Sequence, residues 1–418
     1  MSRSTKLAAV LMCGSLVLAA CGDDDTAESS ATAEASSATA EASSATAEAS
    51  SATAEASSAT AEASSATASS EASSAPAEDA GLAAAKANVD KFSVADGGIG
   101  VTIPLTGVPE KKTFAWLECD VPTCATYITP GIKAATEALG WDLQIIPMKS
   151  TEPGPAFQQA IDMGVDFIAS TGLATAQYQP QLDAANAAGI KVLSCFGTDD
   201  PSPDTIQMQC GDESFVEKTG PLMADWAIVD SGGAANILIV NIPDFPVLVS
   251  EVDAFKAQLA ANCSACTVEE LNVTLDDLIG GKVPGAVVSK VQANSDLNYI
   301  FNSFGDLPGG VTAALGTAGL ADQVTVYGQD FSIIDLQEIV AGTMGAWSAD
   351  PKGYAGWLMV DAAARLSLGM TLDEERDAAA LPTVIVSDTA FAQDLLDNWG
   401  GDWFPPGADE TFKALWGV

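Results

Sequence analysis

The chain has 418 residues, and its 56 Asp and Glu outweigh its 17 Lys and Arg to give a formal net charge of −39. A surface this acidic repels phosphate backbones and anionic lipid headgroups, which argues against nucleic-acid binding and against membrane docking through a basic patch. The sequence contains no histidine, which excludes a Ser-His-Asp triad, a Cys-His pair and a histidine-ligated zinc site. Hydrophobic residues make up 48% of the chain, and its length predicts about two domains.

Residues 1–20 have the pattern of a signal peptide. Arg3 and Lys6 form a basic start, and the apolar stretch 7–20 is shorter than a typical membrane-spanning helix. The stretch ends in Leu-Ala-Ala directly before Cys21, and this ending resembles a bacterial lipoprotein signal. The resemblance implies cleavage before Cys21, a palmitate-type lipid on that cysteine, and a location on the extracytoplasmic face of the cell membrane with the lipid as the only membrane contact. An ordinary secretory signal, in which Cys21 is incidental, is the alternative.

A seven-residue repeat follows the signal. The motif ATAEASS begins at Ala31 and recurs unchanged through Ser65, and an imperfect copy follows to Ser74. No position of the repeat carries a large apolar residue, so a coiled-coil seam cannot form, and this composition buries too little area to offset the entropy lost on ordering. Residues 21–110 are therefore predicted to be a lipidated N-terminus and a disordered stalk that holds the folded part away from the membrane.

The remaining cysteines occur in close pairs. Of the 8 cysteines, Cys13 belongs to the signal and Cys21 to the anchor. In an exported protein, an even set of cysteines is more often disulfide-bonded than metal-binding. The simplest of the possible connectivities pairs neighbours in sequence, as Cys119–Cys124, Cys195–Cys210 and Cys263–Cys266.

Short apolar runs alternate with amphipathic stretches between Lys112 and Asp388. In chain order, the sequence predicts strands at 113–117, 142–146, 165–169 and 191–194, separated by helices at 127–139, 156–163 and 178–188. A second series predicts strands at 236–240, 267–273, 299–301 and 325–327, with helices at 249–261, 310–318 and 333–341. Such alternation is typical of parallel sheets covered by helices. Because there are too many strands for one compact sheet, we predict an α/β fold with two doubly wound parallel-sheet lobes.

The same region contains, in order, the segments TPGIKAATEALGWDLQII, FQQAIDMGVDFIAS, LDAANAAGIKVLS and VYGQDFSIIDLQEIVAGTMGAWSADPKGYAGWLMVDAA. Because these segments occur in the same order in the periplasmic binding protein type I family, the region resembles that family, in its ribose- and galactose-like sugar-binding branch. The resemblance implies two lobes joined by a three-stranded hinge, with the ligand cleft between them and no catalytic activity.

The resemblance also implies that neither lobe is contiguous in sequence. We place the three crossings near residues 210–211, 349–350 and 381–382. The N-terminal lobe then comprises residues 111–210 plus 350–370, and the C-terminal lobe comprises residues 211–349 plus 381–390. Residues 391–418 extend past the recognisable region as a C-terminal arm, for which the sequence suggests no function.

The candidate binding residues lie in the loops that follow the predicted strands, because doubly wound lobes bind ligands beyond the carboxyl ends of their strands. Aromatic rings stack on the C–H faces of a polyhydroxylated ligand, and carboxylates accept its hydroxyl protons. The predicted ligand-binding residues are Asp120, Thr171, Phe196, Asp199, Asp244, Phe245, Glu251, Asp306, Asp330 and Trp347. Core packing is the alternative for each aromatic residue. The family match implies a direct ligand contact for Asp330, so we expect Asp330→Ala to weaken binding without destabilising the fold.

Two departures from the family bear on the ligand. Sugar binders of this branch carry an Arg where this chain has Glu251, and a Gln where it has Ala349. Both replacements remove donors to sugar oxygens. A carboxylate-rich cleft without Arg favours a neutral polyol or a cationic, amine-bearing solute, and it argues against an anionic ligand. A solvated position at the start of a helix is the alternative for Glu251.

These features predict an extracytoplasmic lipoprotein that captures a small polar solute, sugar- or polyol-like, by lobe closure and delivers it to an ABC importer. The expected partners are the solute and ABC permease subunits, the expected state is a monomer, and no metal or cofactor is predicted. Nucleotide-binding, serine-hydrolase and zinc-protease motifs are absent from the sequence. A sensory lipoprotein that presents the solute to a membrane receptor is the first alternative, and an extracellular enzyme that turns the ligand over is the second.

Overall fold

The computed structural model describes residues 75–93, 99–211, 214–373 and 381–418. All of them belong to a compact unit that spans Ser70–Val418. The signal peptide, Cys21 and the repeat stalk lie outside the described residues, so their assignments stay predictions. Among the described helices, none is both long and apolar enough to cross a membrane.

The first sheet consists of four parallel strands in the order β2-β1-β3-β4. Phe114, Trp116 and Ile168 are fully buried in its two central strands, as expected for parallel strands that helices cover on both faces. The helix α1 (Ala75–Phe92) precedes this sheet along the chain. The strands and their connecting helices are β1 (Thr113–Glu118), α2 (Thr129–Ala138), β2 (Asp142–Pro147), α3 (Gly154–Met163), β3 (Phe167–Thr171), α4 (Gln179–Ala187) and β4 (Lys191–Cys195).

The second sheet consists of six strands in the order β10-β9-β8-β7-β5-β6. Its strands run parallel except for β10, which pairs antiparallel with β9. The elements of its main series are α5 (Gly220–Ser231), β5 (Asn236–Asn241), α6 (Pro246–Asn262), β6 (Thr267–Asn272), α7 (Leu275–Ile279), α8 (Val283–Ala293), β7 (Tyr299–Asn302), α9 (Val311–Ala318), β8 (Thr325–Gln329), α10 (Ile333–Ala341) and β9 (Trp347–Ala349). The α/β fold with two parallel-sheet lobes is therefore confirmed, and we call the β1–β4 side the first lobe and the β5–β10 side the second lobe.

The chain passes between the two lobes three times, after β4, after β9 and before β10 (Val384–Val386). The second passage leads into α11 (Lys352–Ser367), which packs against α2 of the first lobe. The two helices approach so closely at Gly131 that a Cβ there would lie 2.2 Å from the carbonyl oxygen of Gly353. Only a glycine at position 131 allows this contact, which fixes the helix after the second crossing on the first lobe.

The predicted extent of the stalk, residues 21–110, is wrong in its last part, because Ala75–Phe92 forms α1. This helix packs against α5 and α6 of the second lobe, with Ala85 and Phe92 buried. The side-chain amide of Asn88 donates a hydrogen bond of 2.8 Å to Asp225. The physical reason lies in the sequence after the repeat, where apolar Leu82, Ala85, Val89 and Phe92 recur at helical spacing.

The C-terminal arm, predicted as residues 391–418, forms α12 (Thr389–Asn398) and α13 (Ala408–Trp416). The first of these helices packs against α10, and the second packs against α11. The ring of Trp416 stacks on that of Trp357, with centroids 5.4 Å apart, and its indole N–H donates a hydrogen bond of 2.6 Å to buried Asp361. The arm thus contributes to the packing of both lobes.

Candidate functional site

A cavity of about 70 Å³ lies between the two lobes, where strands of both sheets reach their carboxyl ends. This volume corresponds to a few water molecules, so a larger ligand requires the lobes to move apart. The walls are mainly apolar and aromatic. The first lobe contributes Cys119, Val121, Thr123, Cys124, Ile128, Ser150, Thr171, Gly172 and Phe196; the second contributes Phe215, Phe245, Val247, Leu248, Phe304 and Asp330; and Lys352 comes from the start of α11.

Phe196 is positioned by an unusual backbone conformation at the end of β4. Its φ of 58° lies in the left-handed region, which residues other than glycine, Asn and Asp rarely adopt. Its ring stacks on Phe215, with centroids 5.6 Å apart. Gly211 leaves room for the ring, because a Cβ at this position would approach Phe196 Cδ1 to 2.5 Å. Backbone strain at one position therefore places an aromatic ring in the cavity wall.

Phe245 extends from the second lobe to the first. It precedes α6, and its ring lies opposite the turn after β3. A Cβ on Gly172, whose φ is 72°, would stand 3.4 Å from Phe245 Cδ1. The aromatic ring therefore contacts both walls of the cavity.

A buried ion pair forms the polar part of the cavity. Asp330 follows β8 with a φ of 61°, and its Oδ1 lies 2.8 Å from the Nζ of Lys352. The two side chains are only 7% and 3% exposed. The same ammonium donates a hydrogen bond of 2.9 Å to the carbonyl of Phe331 and lies 4.6 Å from the ring centroid of Tyr127.

The pKa values of this pair reflect two opposing effects. Burial raises the pKa of the Asp330 carboxyl, and the neighbouring Lys352 ammonium opposes that rise. Burial alone would lower the pKa of Lys352, but Asp330 and Asp402 more than compensate, so its pKa is raised. Each charge is thus retained in the interior by its partner.

Two further hydrogen bonds connect the lobes beside the cavity. The backbone N–H of Ile333 donates to the hydroxyl of Tyr127 over 2.8 Å, and the N–H of Thr123 donates to Asp306 over 3.4 Å. Burial raises the pKa of Tyr127 to about 12 and that of Asp306 to about 6. These contacts exist only while the lobes are together, so they belong to the closed arrangement.

The three predicted cysteine pairs are each adjacent in space. The Cα–Cα distances are 5.7 Å for Cys119–Cys124, 4.3 Å for Cys195–Cys210 and 5.4 Å for Cys263–Cys266, of the order that a disulfide spans. The pairing itself stays a prediction. The first pair lines the cavity, so a disulfide there would stiffen the wall formed by the loop after β1.

Four of the ten predicted binding residues line the cavity, namely Thr171, Phe196, Phe245 and Asp330. Asp120 and Asp306 lie beside it and line a neighbouring groove instead. The carboxylate of Asp120 accepts a hydrogen bond of 2.7 Å from the hydroxyl of Ser150.

Two further predicted carboxylates hold loops rather than face the cavity. Asp199 accepts hydrogen bonds of 2.7 and 2.8 Å from the backbone N–H and hydroxyl of Thr175. Asp244 accepts a hydrogen bond of 2.9 Å from the N–H of Leu275, the first residue of α7. A sequence pattern cannot separate such capping carboxylates from ligand contacts, because both occur in polar loops after strands.

Glu251 and Trp347 are placed elsewhere than predicted. Glu251 is completely buried, so its interpretation as a solvated helix-start residue is wrong, and it does not line the cavity. Its position follows from the close packing of α5, since a Cβ on Gly220 would lie 2.7 Å from the Glu251 carbonyl oxygen. Trp347 is also fully buried, with its ring against Gly328 of the neighbouring strand.

Lys352 is the charged residue of the cavity wall that was not predicted from the sequence. The absence of Arg suggested an acidic cleft, yet Lys352 stands in the cavity wall and pairs with Asp330. The preference for a cationic, amine-bearing solute is therefore not favoured. Two features of the sequence point to Lys352 as a site residue. It directly follows the Asp-Pro of the second crossing, and it is one of only 17 basic residues.

A pair of buried carboxyl groups lies near the crossings. Asp350 directly follows β9, is 1% exposed and accepts a hydrogen bond of 2.8 Å from the hydroxyl of Thr383. Burial raises the pKa of Asp350 to about 7. Burial likewise raises the pKa of Glu251 well above its ordinary value, with further contributions from Asp350 and Asp330. One oxygen each of Asp350 and Glu251 has no hydrogen-bond partner among the described residues.

The sequence itself matches a known family over most of the folded region. Residues 124–370 match the model of the periplasmic binding protein domain. The chain belongs to the periplasmic binding protein family, type I. Among curated protein sequences, none matches this chain.

Solved structures show the same two-lobed fold. An ABC transporter solute-binding protein from Mycobacterium smegmatis with bound glycerol is 22% identical, with a TM-score of 0.61 over 71% of this chain and 100% of that chain. A carbohydrate transporter from Acidothermus cellulolyticus 11B in complex with myo-inositol is 19% identical, with a TM-score of 0.57 over 72% and 99%. A chain of the XylFII-LytSN complex is 16% identical, with a TM-score of 0.57 over 68% and 99%.

Membership of this family carries a general functional assignment. Periplasmic binding proteins are extracytoplasmic solute binders without enzymatic activity. The cavity of this periplasmic binding protein lies between the two lobes and draws its walls from both. The identity of the solute depends on the residues of those walls, because one fold hosts many specificities.

We expect Asp330→Ala to destabilise the protein, contrary to the expectation from sequence alone. Removing one partner of a buried ion pair leaves the other charge uncompensated, at a typical cost of about 3–5 kcal/mol. Urea unfolding followed by circular dichroism measures the free energy of unfolding. Combining Asp330→Ala with Lys352→Met should recover part of the loss, because the unpaired ammonium is then also removed.

The matched control for this prediction is Asp142→Ala. Asp142 pairs with Lys111 at 2.8 Å, but these side chains are 55% and 63% exposed. Exposed pairs typically contribute less than about 1 kcal/mol. Equal losses for the two alanine variants would contradict the structural role assigned to Asp330.

We expect Asp350→Asn to reduce the pH dependence of stability. The folded-state pKa of Asp350, about 7, exceeds its ordinary value near 4, so the folded state keeps a proton that the unfolded state releases. The contribution of Asp350 to stability is therefore complete below about pH 4 and is lost as the pH rises through about 7. Over this range, the free energy of unfolding falls by no more than about 1.4 kcal/mol per pH unit on account of this group. Urea unfolding at pH 5, 6, 7 and 8 should show a steeper decline for wild type than for the variant. Parallel curves would contradict the assignment.

Proposed function

We propose that this protein is a lipid-anchored receptor that captures a small, uncharged, hydroxyl-bearing solute between its lobes and delivers it to an ABC importer. The observation that carries the proposal is the cavity at the carboxyl ends of the strands, to which both lobes contribute walls. In doubly wound folds this is the position where ligands bind. A solute held there contacts both lobes at once.

Closure of the lobes is the proposed mechanism. A ligand that contacts both walls stabilises the closed arrangement differentially, and the three chain crossings can act as the hinge. The contact of Phe245 with the turn at Gly172 and the hydrogen bond from Ile333 to Tyr127 form only when the lobes meet. Ligand binding and these contacts therefore favour the same state.

The charge balance of the site supports an uncharged solute. Asp330 and Lys352 compensate each other in the cavity wall, so an additional buried charge would lack a partner. Similar structures hold glycerol and myo-inositol, which makes sugar- or polyol-like molecules with hydroxyl groups the first class to test.

The proposed attachment to the membrane rests on the sequence around Cys21. The apolar segment before it and the acidic residues after it have the pattern of a lipoprotein signal. Helix α1 packs on the second lobe, so the chain that leads from the stalk joins that lobe. ABC permease subunits are the proposed partners of the closed form.

Sensing is the second candidate function. The XylFII-LytSN complex is among the similar structures, which shows that a protein of this fold occurs in a complex with another protein. In this case the closed form would be recognised by a membrane receptor instead of a permease. Uptake of labelled solute by cells with and without the protein distinguishes transport from sensing.

We expect Tyr127→Phe to weaken solute binding although Tyr127 does not line the cavity. The change removes the acceptor of the Ile333 N–H and keeps the ring next to Lys352. A hydrogen bond contributes about 1 kcal/mol, so affinity for the solute identified by mass spectrometry of the purified protein should fall about fivefold. Calorimetry measures the affinity, and small-angle X-ray scattering follows the contraction on binding.

The matched control for lobe closure is Tyr299→Phe. The hydroxyl of Tyr299 donates a hydrogen bond of 2.8 Å to Asp230, and both residues belong to the second lobe. This variant should bind the solute with wild-type affinity. A bound solute that leaves the radius of gyration unchanged would argue against the closure mechanism.

Replacement of Cys21 by Ser should release the protein from the membrane fraction of the cells that produce it, because the residue predicted to carry the lipid is lost. Labelling with radioactive palmitate shows whether the variant still carries the lipid, and cell fractionation shows whether it leaves the membrane fraction. Cys13→Ser is the control, since Cys13 lies within the signal peptide. Retention of label after Cys21→Ser would contradict the proposed anchor.

A further inference from the structure

The walls of the cavity are mainly apolar and aromatic. Four phenylalanine rings line it together with Ile128 and Leu248, namely Phe196, Phe215, Phe245 and Phe304. A polyol enclosed here would lose water from hydroxyl groups at several edges of its ring. Hydroxyl groups that lose water without gaining a protein partner cost free energy, so such walls select against a ligand that is polar all round.

The polar groups of the walls are largely occupied by the protein itself. The hydroxyl of Ser150 donates to Asp120, the backbone N–H of Thr123 donates to Asp306, and Asp330 is paired with Lys352. Among the described residues, the other polar side chains of the walls are Thr171, at the end of β3, and Thr123, whose hydroxyl lies beside the Asp306 carboxylate. Few hydrogen-bonding groups are thus left to satisfy a polyhydroxylated molecule.

The ion pair leaves room for one specific polar contact. Lys352 lies against Oδ1 of Asp330, and a carboxylate can accept several hydrogen bonds through its two oxygens. A neutral hydroxyl can therefore donate to Asp330. A ligand ammonium would compete with Lys352 for the same carboxylate, and a ligand carboxylate would meet that carboxylate as a like charge.

We propose that the cleft selects a small, mainly apolar ring that carries one neutral hydroxyl group, as in a monocyclic aromatic alcohol, in preference to a sugar or polyol. The ring lies among Phe196, Phe245 and Phe304, and the hydroxyl donates to Asp330. This inference rests on the proposed solute-binding function and assigns its ligand class. The present cavity of about 70 Å³ is smaller than the roughly 150 Å³ that accommodates benzene in an engineered site, so even one ring requires the lobes to part slightly.

The test uses the full mature chain and four matched probes, namely benzyl alcohol, benzylamine, benzoate and myo-inositol. Calorimetry should give a dissociation constant for benzyl alcohol at least tenfold lower than for each of the other three. The melting temperature should rise with benzyl alcohol alone at equal concentrations. Binding of myo-inositol as tight as that of benzyl alcohol, or no binding of benzyl alcohol, would overturn the proposal.

Phe245→Ala should weaken benzyl alcohol binding at least tenfold, because it removes the ring that contacts both walls. Phe404→Ala is the control, since Phe404 lies in the C-terminal arm against Tyr354, with ring centroids 6.2 Å apart, and should leave binding unchanged. If circular dichroism shows that Phe245→Ala is misfolded, Phe245→Leu tests the same contact with a smaller change in volume. Wild-type affinity for benzyl alcohol in a folded Phe245→Leu variant would contradict the proposal.

The outcomes separate this inference from the proposed function. A decrease in the radius of gyration, measured by X-ray scattering, with myo-inositol but not with benzyl alcohol would refute the ligand class. The same result would support solute capture by lobe closure. Absence of binding and of contraction with all four probes and with a panel of sugars would count against both.

Discussion

The ion pair between Asp330 and Lys352 joins the two lobes at the polar end of the cleft. Asp330 follows a strand of the second lobe, and Lys352 begins the helix that packs on the first lobe. Because both charges are buried, neither is stable in this position without the other. The pair therefore couples three features, namely the left-handed backbone at Asp330, the path of the second crossing and the electrostatic neutrality of the site.

This neutrality shapes what the rest of the cleft can recognise. Once the only charged side chains of the cavity wall among the described residues compensate each other, selectivity depends on shape, aromatic contacts and a small number of hydrogen bonds. The positions of Phe196 and Phe245 depend on close approach to Gly211 and Gly172. The family fold supplies the cleft, whereas these local contacts give it a lining of its own.

The buried carboxyl groups near the crossings add a second constraint. Asp350 and Glu251 lie away from solvent, each with an oxygen that lacks a hydrogen-bond partner among the described residues. Burial is the main cause of both raised pKa values; the charge of Asp350 adds to the rise at Glu251, and the charge of Asp330 adds to the rise at both groups. The hinge region thus carries groups whose protonation depends on pH, although the surface of this acidic chain is rich in ordinary, solvated carboxylates.

The sequence by itself determined the α/β class, the order of most strands and helices, and the family, because these depend on local hydrophobic periodicity and on segments that recur in order. It missed α5, which is buried on most sides and so lacks an amphipathic pattern. It also placed Glu251 and Trp347 at the site and overlooked Lys352. Only the tertiary structure decided these positions, because the direction of a side chain after a strand depends on backbone angles and on glycine-mediated packing between segments distant in sequence. Whether a carboxylate faces a ligand, caps a loop or pairs with a lysine is settled by which groups the fold brings within a few ångströms, and residue identity does not encode that proximity.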